Sequence, residues 1–481
     1  MRGADSKRGT PMRAPLAALG LGLALALAGC ATAPRERVYP AATGLLRGTA
    51  AAMNGSGYWI ARHPAPDEPI LDEAGVAELN AAIRARGTVR DLSSWTPPAA
   101  AELAKELRDS VAWVRRLTVY RADGRKVGGQ AAEAFLAPLV RLMDIEAAPS
   151  GSAGYGFLVD QTDLRALPTA EALFDGPGDP YIDNLQASSL EPGQPVVILH
   201  RSADDAWRYV AAEFASGWVP ASAVAAADEA AFARRYRAQA VTVVSDRADL
   251  FADEPLTRFA LYVRMGTRLL LSGEERGGTI GVSLPERDAG GGLRERTLWV
   301  DADDVARGPL PYTPRTIYRQ AFRLLNAPYG WGGSFGQQDC SQFLCQVFAT
   351  VGVTLPRNSA RQAKVGTPLP SFRADLGDEE KRASLAEGGL GGATFLRFPG
   401  HIMLYLGEVN GEPYAIHSTW AYAEKRGIRE RTRLVNRVVV SDLRLGSGKK
   451  GSHLHRLTDV AIVRLESGSP NAPSGPDASA Q

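Results

Sequence analysis

Cysteine is scarce: three in 481 residues, at positions 30, 340 and 345. That is too few, and too unevenly placed, for a disulfide framework, so each cysteine must be read by its position. Neither sign of charge dominates, with 55 Lys+Arg against 53 Asp+Glu. The first 29 residues hold Arg2, Lys7, Arg8 and Arg13 against Asp5, a net +3, which leaves the remainder near −1. A near-neutral body argues against nucleic acid as its main partner. No Gly-rich phosphate loop and no dense carboxylate cluster occurs, so neither a nucleotide nor a metal cofactor is expected. Beyond the N-terminus no segment reaches 18 apolar residues, and no spanning helix is expected. What remains is a 45 % apolar chain with 31 Pro and 50 Gly spread along it, enough for three or four compact units that form a monomer.

The basic start runs into an apolar stretch, 14–28, that is too short to span a bilayer comfortably and has the three-part layout of an export signal. It ends in Leu27-Ala28-Gly29-Cys30, which resembles a bacterial lipobox. The resemblance implies removal of 1–29 and acylation of Cys30, since stable anchoring needs more than one acyl chain. Ala31 after the cysteine points to the periplasmic face of the outer membrane, a cell-envelope location.

The expected organisation is a tether over 30–47, a mostly helical accessory domain over 48–148, two small β-barrels over 149–230 and 231–308, a catalytic domain over 309–466 and a disordered tail from 467 to 481. Within the helical region Val76, Leu79 and Ile83 form one stripe and Leu103, Leu107, Val111 and Val114 another. The phrases Asp163-Leu-Arg-Ala-Leu-Pro-Thr169 and Gly217-Trp-Val-Pro220 resemble the SH3 domains of bacterial cell-wall proteins; the second barrel shows no clear sequence repeat of the first. Trp207, Trp218 and Trp299 are read as packing residues of the barrels rather than ligand platforms.

Chemistry concentrates further on. Thr313-Pro314 starts one helix. A Gly-rich loop at Tyr329–Gly333 follows, and Asp339 opens a second helix whose first turn holds Cys340. A thiol there meets the positive end of the helix dipole, which favours thiolate, whereas Cys345 lies mid-helix and reads as packing. His401, Met403 and Tyr405 share one face of a strand, and Asn410-Gly411 turns it into a second strand bearing His417. A two-residue turn alone would set His417 opposite Leu404, on the wrong face, so cooperation of the two histidines requires a bulge or a longer loop that brings it level with Met403. A thiol and one imidazole suffice for acyl transfer: His401 polarises the sulfur and later protonates the leaving amine, His417 orients it, and the Cys340 amide serves as oxyanion donor. His453 and His455, two apart on an expected strand, lack a third metal ligand.

Asp339-Cys-Ser341, Leu355-Pro-Arg-Asn-Ser359, Gln362, Pro399–Gly407 and Ala415-Ile-His417 together resemble the NlpC-type cell-wall cysteine peptidases. The resemblance implies a multi-domain architecture with an α+β papain-like catalytic domain, two SH3-like barrels and the helical N-terminal domain. It implies cleavage, without a cofactor, of the amide between D-glutamate (through its γ-carboxyl) and meso-diaminopimelate or lysine in peptidoglycan stem peptides or muropeptides. It makes Cys340 nucleophile, His401 base and His417 orienter, and assigns Asp339, Ser341 and Ser359, with Tyr181 and Asp163 from the first barrel, to a pocket for the terminal L-Ala amine. Arg357 reads as a loop anchor, and 369–392 as a lid or plain surface. An amidase or transacylase on the same scaffold, and a non-catalytic wall-binding scaffold, are the rival functions.

Overall fold

The computed structural model describes residues 44–147 and 153–465. The export-signal run, Cys30, most of the tether and the tail from 467 therefore lie outside the described residues. No described helix is long and apolar enough to cross a membrane.

Alternating residues along each strand of the C-terminal domain send side chains to opposite faces, and both faces are covered. Its six strands are β1 (Thr367–Pro368), β2 (Thr394–Phe398), β3 (His401–Val409), β4 (Glu412–Arg426), β5 (Arg429–Asp442) and β6 (Asp459–Ile462), all antiparallel in the order β1-β6-β2-β3-β4-β5. Helices α1 (Pro314–Arg323) and α2 (Cys340–Ala349) cover one face. There Phe343, Leu344, Val347 and Phe348 meet Ile402, Leu404, Leu406, Ile416 and Val438. Three further helices follow: α3 (Ser359–Gln362), α4 (Asp378–Gly388) and α5 (His453–Arg456). The last two lie over the other face, where Leu385 and Leu454 pack with Leu396, Phe398, Met403 and Tyr405. The 369–392 stretch, open as lid or surface from sequence, is thus packed structure. The Lys381 ammonium donates to the carbonyls of His455 (2.8 Å) and Leu457 (3.0 Å), tying α4 to the end of α5.

Two seven-stranded antiparallel units precede this domain, one over 154–227 and one over 240–307. Counting strands from the start of each, both have the order 3-2-6-5-4-1-7. They are the same topology twice, although the sequence carries no visible repeat. Trp218 is fully buried in the first unit, as a packing residue should be.

The region expected as one helical domain over 48–148 is instead divided between two cores. Met53, Trp59, Val76, Leu79 and Ile83 join the core of α1 and α2. The Tyr414 hydroxyl donates to the Gly48 carbonyl at 2.6 Å, and Asn80 bridges the Gly352 carbonyl (2.7 Å) and the Thr354 amide (2.9 Å). Helices Ala100–Arg116 and Gln130–Met143 pack instead with Phe157, Leu173, Leu199 and Trp218 of the first barrel. An amphipathic stripe shows that a helix must be covered but not by what.

Candidate active site

Asp339 is the N-cap of α2. Its Oδ1 accepts from the amides of Ser341 (3.1 Å) and Gln342 (2.9 Å), which satisfies two first-turn donors. Arg357 holds both carboxylate oxygens, Nη1 to Oδ1 at 3.0 Å and Nη2 to Oδ2 at 2.6 Å. The same guanidinium donates to the Ser341 hydroxyl (2.5 Å) and, through Nε, to Ser188 of the first barrel (3.0 Å). Gly332 donates its amide to Oδ2 at 3.1 Å, so the Gly-rich loop is pinned as well. Asp339 and Ser341, assigned from resemblance to an amine pocket, therefore spend their hydrogen-bonding capacity on α2 and Arg357. The anchor role read for Arg357 is the one its contacts describe.

The histidines are placed by two tight turns and a bulge. Pro399 and Gly400, the latter at φ +87°, fill the centre of a type II turn between Phe398 and His401. Asn410 and Gly411, at φ +54° and +77°, make the primed turn that closes the β3–β4 hairpin. From that turn Val409 pairs with Glu412 and Glu408 with Pro413; a bulge between Tyr405 and Gly407 then shifts the register, and Leu404 meets Ile416. His417 consequently falls level with Met403 and shares a face with His401. His401 Nε2 and His417 Nδ1 are 2.8 Å apart, and His417 Nε2 lies 2.9 Å from the Ser441 hydroxyl on β5.

The apolar stripe of α2 packs on Ile402 and Leu404, whereas the histidines belong to the opposite face of β3. Cys340 is reached because it stands at the helix end, where its sulfur accepts the amide N–H of Ile402, the residue after His401. Cys340 and His401 are each 8 % exposed, and His417 and Ser441 are sealed at 0 %. Burial, with Asp339 adding to it, pushes the Cys340 thiol up to about 12, against the opposing Ile402 amide and Arg357 charge. Burial and then the positive charge of Arg456 take His401 down to about 3, against Asp339. Both shifts run against the expected thiolate: desolvation works against the helix dipole and favours neutral thiol and neutral imidazole. Burial also works to raise the Asp339 carboxyl, but the charge and hydrogen bonds of Arg357 outweigh it and hold the group below the usual carboxylate range.

Ser359 is the half-buried first residue of α3. Asp163 is exposed and accepts from Gln186 Nε2 at 2.7 Å, and the same nitrogen reaches the Gly332 carbonyl at 3.3 Å, so the first barrel meets the Gly-rich loop. Tyr181 is half-buried, its ring 5.6 Å from that of Trp420 on β4. Cys345, apart from this centre, accepts from Gln362 Nε2 at 3.2 Å.

Two neighbours of the histidines escaped the sequence reading. Ser441 pairs with Ala415 across β4 and β5, and no local pattern marks it. His453, expected on a strand, lies on α5, with its ring 5.8 Å from His401 and 5.6 Å from His417. Burial and the charges of His401 and Arg456 keep it well below the ordinary histidine value, and its Nδ1 has no hydrogen-bond partner. Its N-cap, Ser452, is the signal that could have marked a helix there. No group of three or more His, Cys, Asp or Glu suited to a metal occurs among the described residues.

Residues 326–432 match the NlpC/P60 family, and residues 172–220 match the SH3 domain of the SH3b1 type. A protein named as a probable endopeptidase of Corynebacterium glutamicum is 32 % identical over 80 residues, 16 % of this chain and 38 % of that protein. A γ-D-glutamyl-L-lysine dipeptidyl-peptidase of Bacillus subtilis is 33 % identical over 96 residues, 18 % of this chain and 32 % of that protein. The chain thus spans about a third of the length of these curated relatives. Among solved structures, an NlpC/P60 endopeptidase from Photobacterium damselae subsp. piscicida superposes with a TM-score of 0.71 at 20 % identity, over 89 % of this chain and 99 % of that one. The chain is therefore a multi-domain protein that carries an NlpC/P60 domain and an SH3b-type domain, within a fold shared with the Photobacterium protein.

Proposed function

We propose that this chain, with its NlpC/P60 domain, is a cysteine peptidase that cleaves the γ-D-glutamyl–diamino acid amide of peptidoglycan stem peptides. The reading rests chiefly on the 2.8 Å contact between His401 Nε2 and His417 Nδ1, at the start of the strand whose next amide holds the Cys340 sulfur. The name of the Bacillus relative supports the bond type. In the tautomer that serves catalysis, His401 donates from Nε2 to His417, His417 donates from Nε2 to Ser441, and His401 Nδ1 is left unprotonated. Nδ1 takes the thiol proton as sulfur attacks the amide carbonyl, then delivers it to the leaving amine; water hydrolyses the thioester by the same route. Asp339 already occupies the Ser341 and Gln342 amides, so the Cys340 amide remains to meet the developing oxyanion. Because Arg357 neutralises Asp339, a substrate ammonium is better received by Asp163 and Tyr181 on the barrel side, with Ser359 as a hydroxyl partner.

The lipobox reading of Cys30 adds an anchor at the periplasmic face of the outer membrane, with the chain acting as a monomer on the wall. Incubation with purified muropeptides and mass analysis tests the chemistry: release of L-Ala-γ-D-Glu, abolished in Cys340→Ala, is expected. Products cut between sugar and stem would overturn it in favour of an amidase. Labelling of the wild type, but not of Cys30→Ser, by a palmitate analogue tests the anchor.

A further inference from the structure

Arg456 closes α5 beside the base. Its guanidinium carbon lies 3.9 Å from the centre of the Phe398 ring, and that ring is 5.3 Å from the ring of His401. The side chain is half-buried. Unlike Arg357, Arg397 and Arg433 of the same domain, each paired with a carboxylate, it has neither a carboxylate nor a carbonyl partner among the described residues. Burial alone lowers its pKa, with no acidic group to offset it.

A guanidinium partly withdrawn from water and left without an acceptor is costly to keep. Stacked on an aromatic face, it is also held in the planar orientation that binds carboxylates by two parallel bonds. His401 hands its proton to the leaving amine, so the residue that leaves has its nitrogen at His401, and Arg456 stands on that side of the scissile bond.

We propose that Arg456 is a carboxylate-binding residue for the leaving half of the substrate, taking either the main-chain carboxylate of the diamino acid or a second carboxylate on its side chain. The proposal builds on the cleavage reading above. An anion seated there also cancels the positive charge that opposes protonation of His401, so seating the substrate strengthens the base.

Three peptides of the form L-Ala-γ-D-Glu-X separate the sources: X is meso-diaminopimelate amidated at its main-chain carboxyl, L-lysine with a free carboxyl, or L-lysine amide. Calorimetric binding to the full Cys340→Ala chain is compared with binding to Cys340→Ala/Arg456→Gln, and kcat/KM is compared for the same Arg456 change in the active chain. Loss of one charge-assisted pair should weaken the carboxylate-bearing peptides by roughly 10- to 100-fold and leave the lysine amide unchanged. Loss confined to the diaminopimelate peptide assigns the side-chain carboxylate; loss confined to free lysine assigns the main-chain one. Arg456→Lys, which keeps the charge without the fork, should fall between and guards against a folding defect. Equal loss on all three peptides, loss on none, or failure of all three to bind overturns the proposal. If the active chain cleaves no peptide while Cys340→Ala still binds the carboxylates through Arg456, the hydrolase reading falls and the carboxylate site stands.

Discussion

Arg357 is the residue whose removal should reveal how the site is braced. It and Asp339 are 9 % and 7 % exposed, joined by two hydrogen bonds, and Arg357 also links the Cys340-bearing helix to Ser188 of the first barrel. Replacing it by methionine leaves a carboxylate buried with no counter-ion, a defect that typically costs about 3–5 kcal/mol. Against a domain stability of about 5–15 kcal/mol that is a large share. The double change Arg357→Met/Asp339→Asn removes both charges and keeps a helix-capping side chain, so it should recover most of the loss. The pH dependence should also change sign. In the parent, Asp339 lies below its ordinary value. It therefore stabilises the fold above the unfolded pKa of about 3.9, and this is lost as pH falls through the folded value. In Arg357→Met the burial that raises the carboxyl is opposed by the Ser341 and Gln342 hydrogen bonds but no longer by a charge, so acidification should restore part of the lost stability. Urea unfolding followed by tryptophan fluorescence at pH 7 and pH 4.5 would measure both effects. A loss under about 1 kcal/mol at pH 7, or a double variant as unstable as the single, would refute the picture of a desolvated pair.

The histidine chain makes further predictions. Ser441→Ala removes one neutral hydrogen bond from His417, worth about 1 kcal/mol, so kcat should drop about fivefold with KM held; an unchanged kcat would remove Ser441 from the chain. His401, His417 and His453 are all buried and all depressed below 6.5. Their contribution is complete above the unfolded value and lost as pH falls toward the folded ones. Stability should therefore fall from pH 6.5 to 5, and an unfolding midpoint flat from pH 7 to 5 would contradict this. Because the Cys340 thiol is pushed up to about 12, its alkylation by iodoacetamide, read by peptide mass, should be slow at pH 7 and climb steadily through pH 9. A plateau near pH 6–7 would instead mean a thiolate–imidazolium pair.

What could be read from sequence was what short-range chemistry decides. Asp339 before a helix that opens with Cys340, and Asn410-Gly411 between alternating apolar runs, are local signals, and the elements lie where those signals place them. The register of His417 was legible only as a condition, although Gly407, at φ +129° where the bulge falls, is the residue that could have marked it. Ser441 depends on the pairing of β4 with β5, and His453 on α5 folding back over the end of β2. Both are long-range consequences of packing. The direction of the Cys340 shift failed for the same reason: a helix dipole can be inferred from a cap residue, but the depth of burial cannot. The common strand order of the two barrels was hidden because it needs only alternation and turns, which unrelated residues supply equally well.

Under the proposed reading, these contacts explain how a buried thiol and imidazole are poised for acyl transfer. Cys340 is positioned by its helix end, which Arg357 ties to the first barrel, whereas His401 is positioned by a strand whose outer face is closed by α5. The apolar stripe of α2 and the His401 ring therefore lie on opposite faces of one sheet and meet at the strand end, where the Ile402 amide reaches the Cys340 sulfur. Thiol and base each keep their place when the proton leaves sulfur, so little reorganisation is required at the moment of attack. The energetic obstacle is charge separation in a desolvated site, which the resting electrostatics oppose from both ends: Asp339 disfavours thiolate and Arg456 disfavours imidazolium. Arg357 offsets the first from within the protein. Arg456 has no carboxylate partner among the described residues, so a bound substrate is the component placed to supply one, and the barrier should fall when a suitably charged peptide binds.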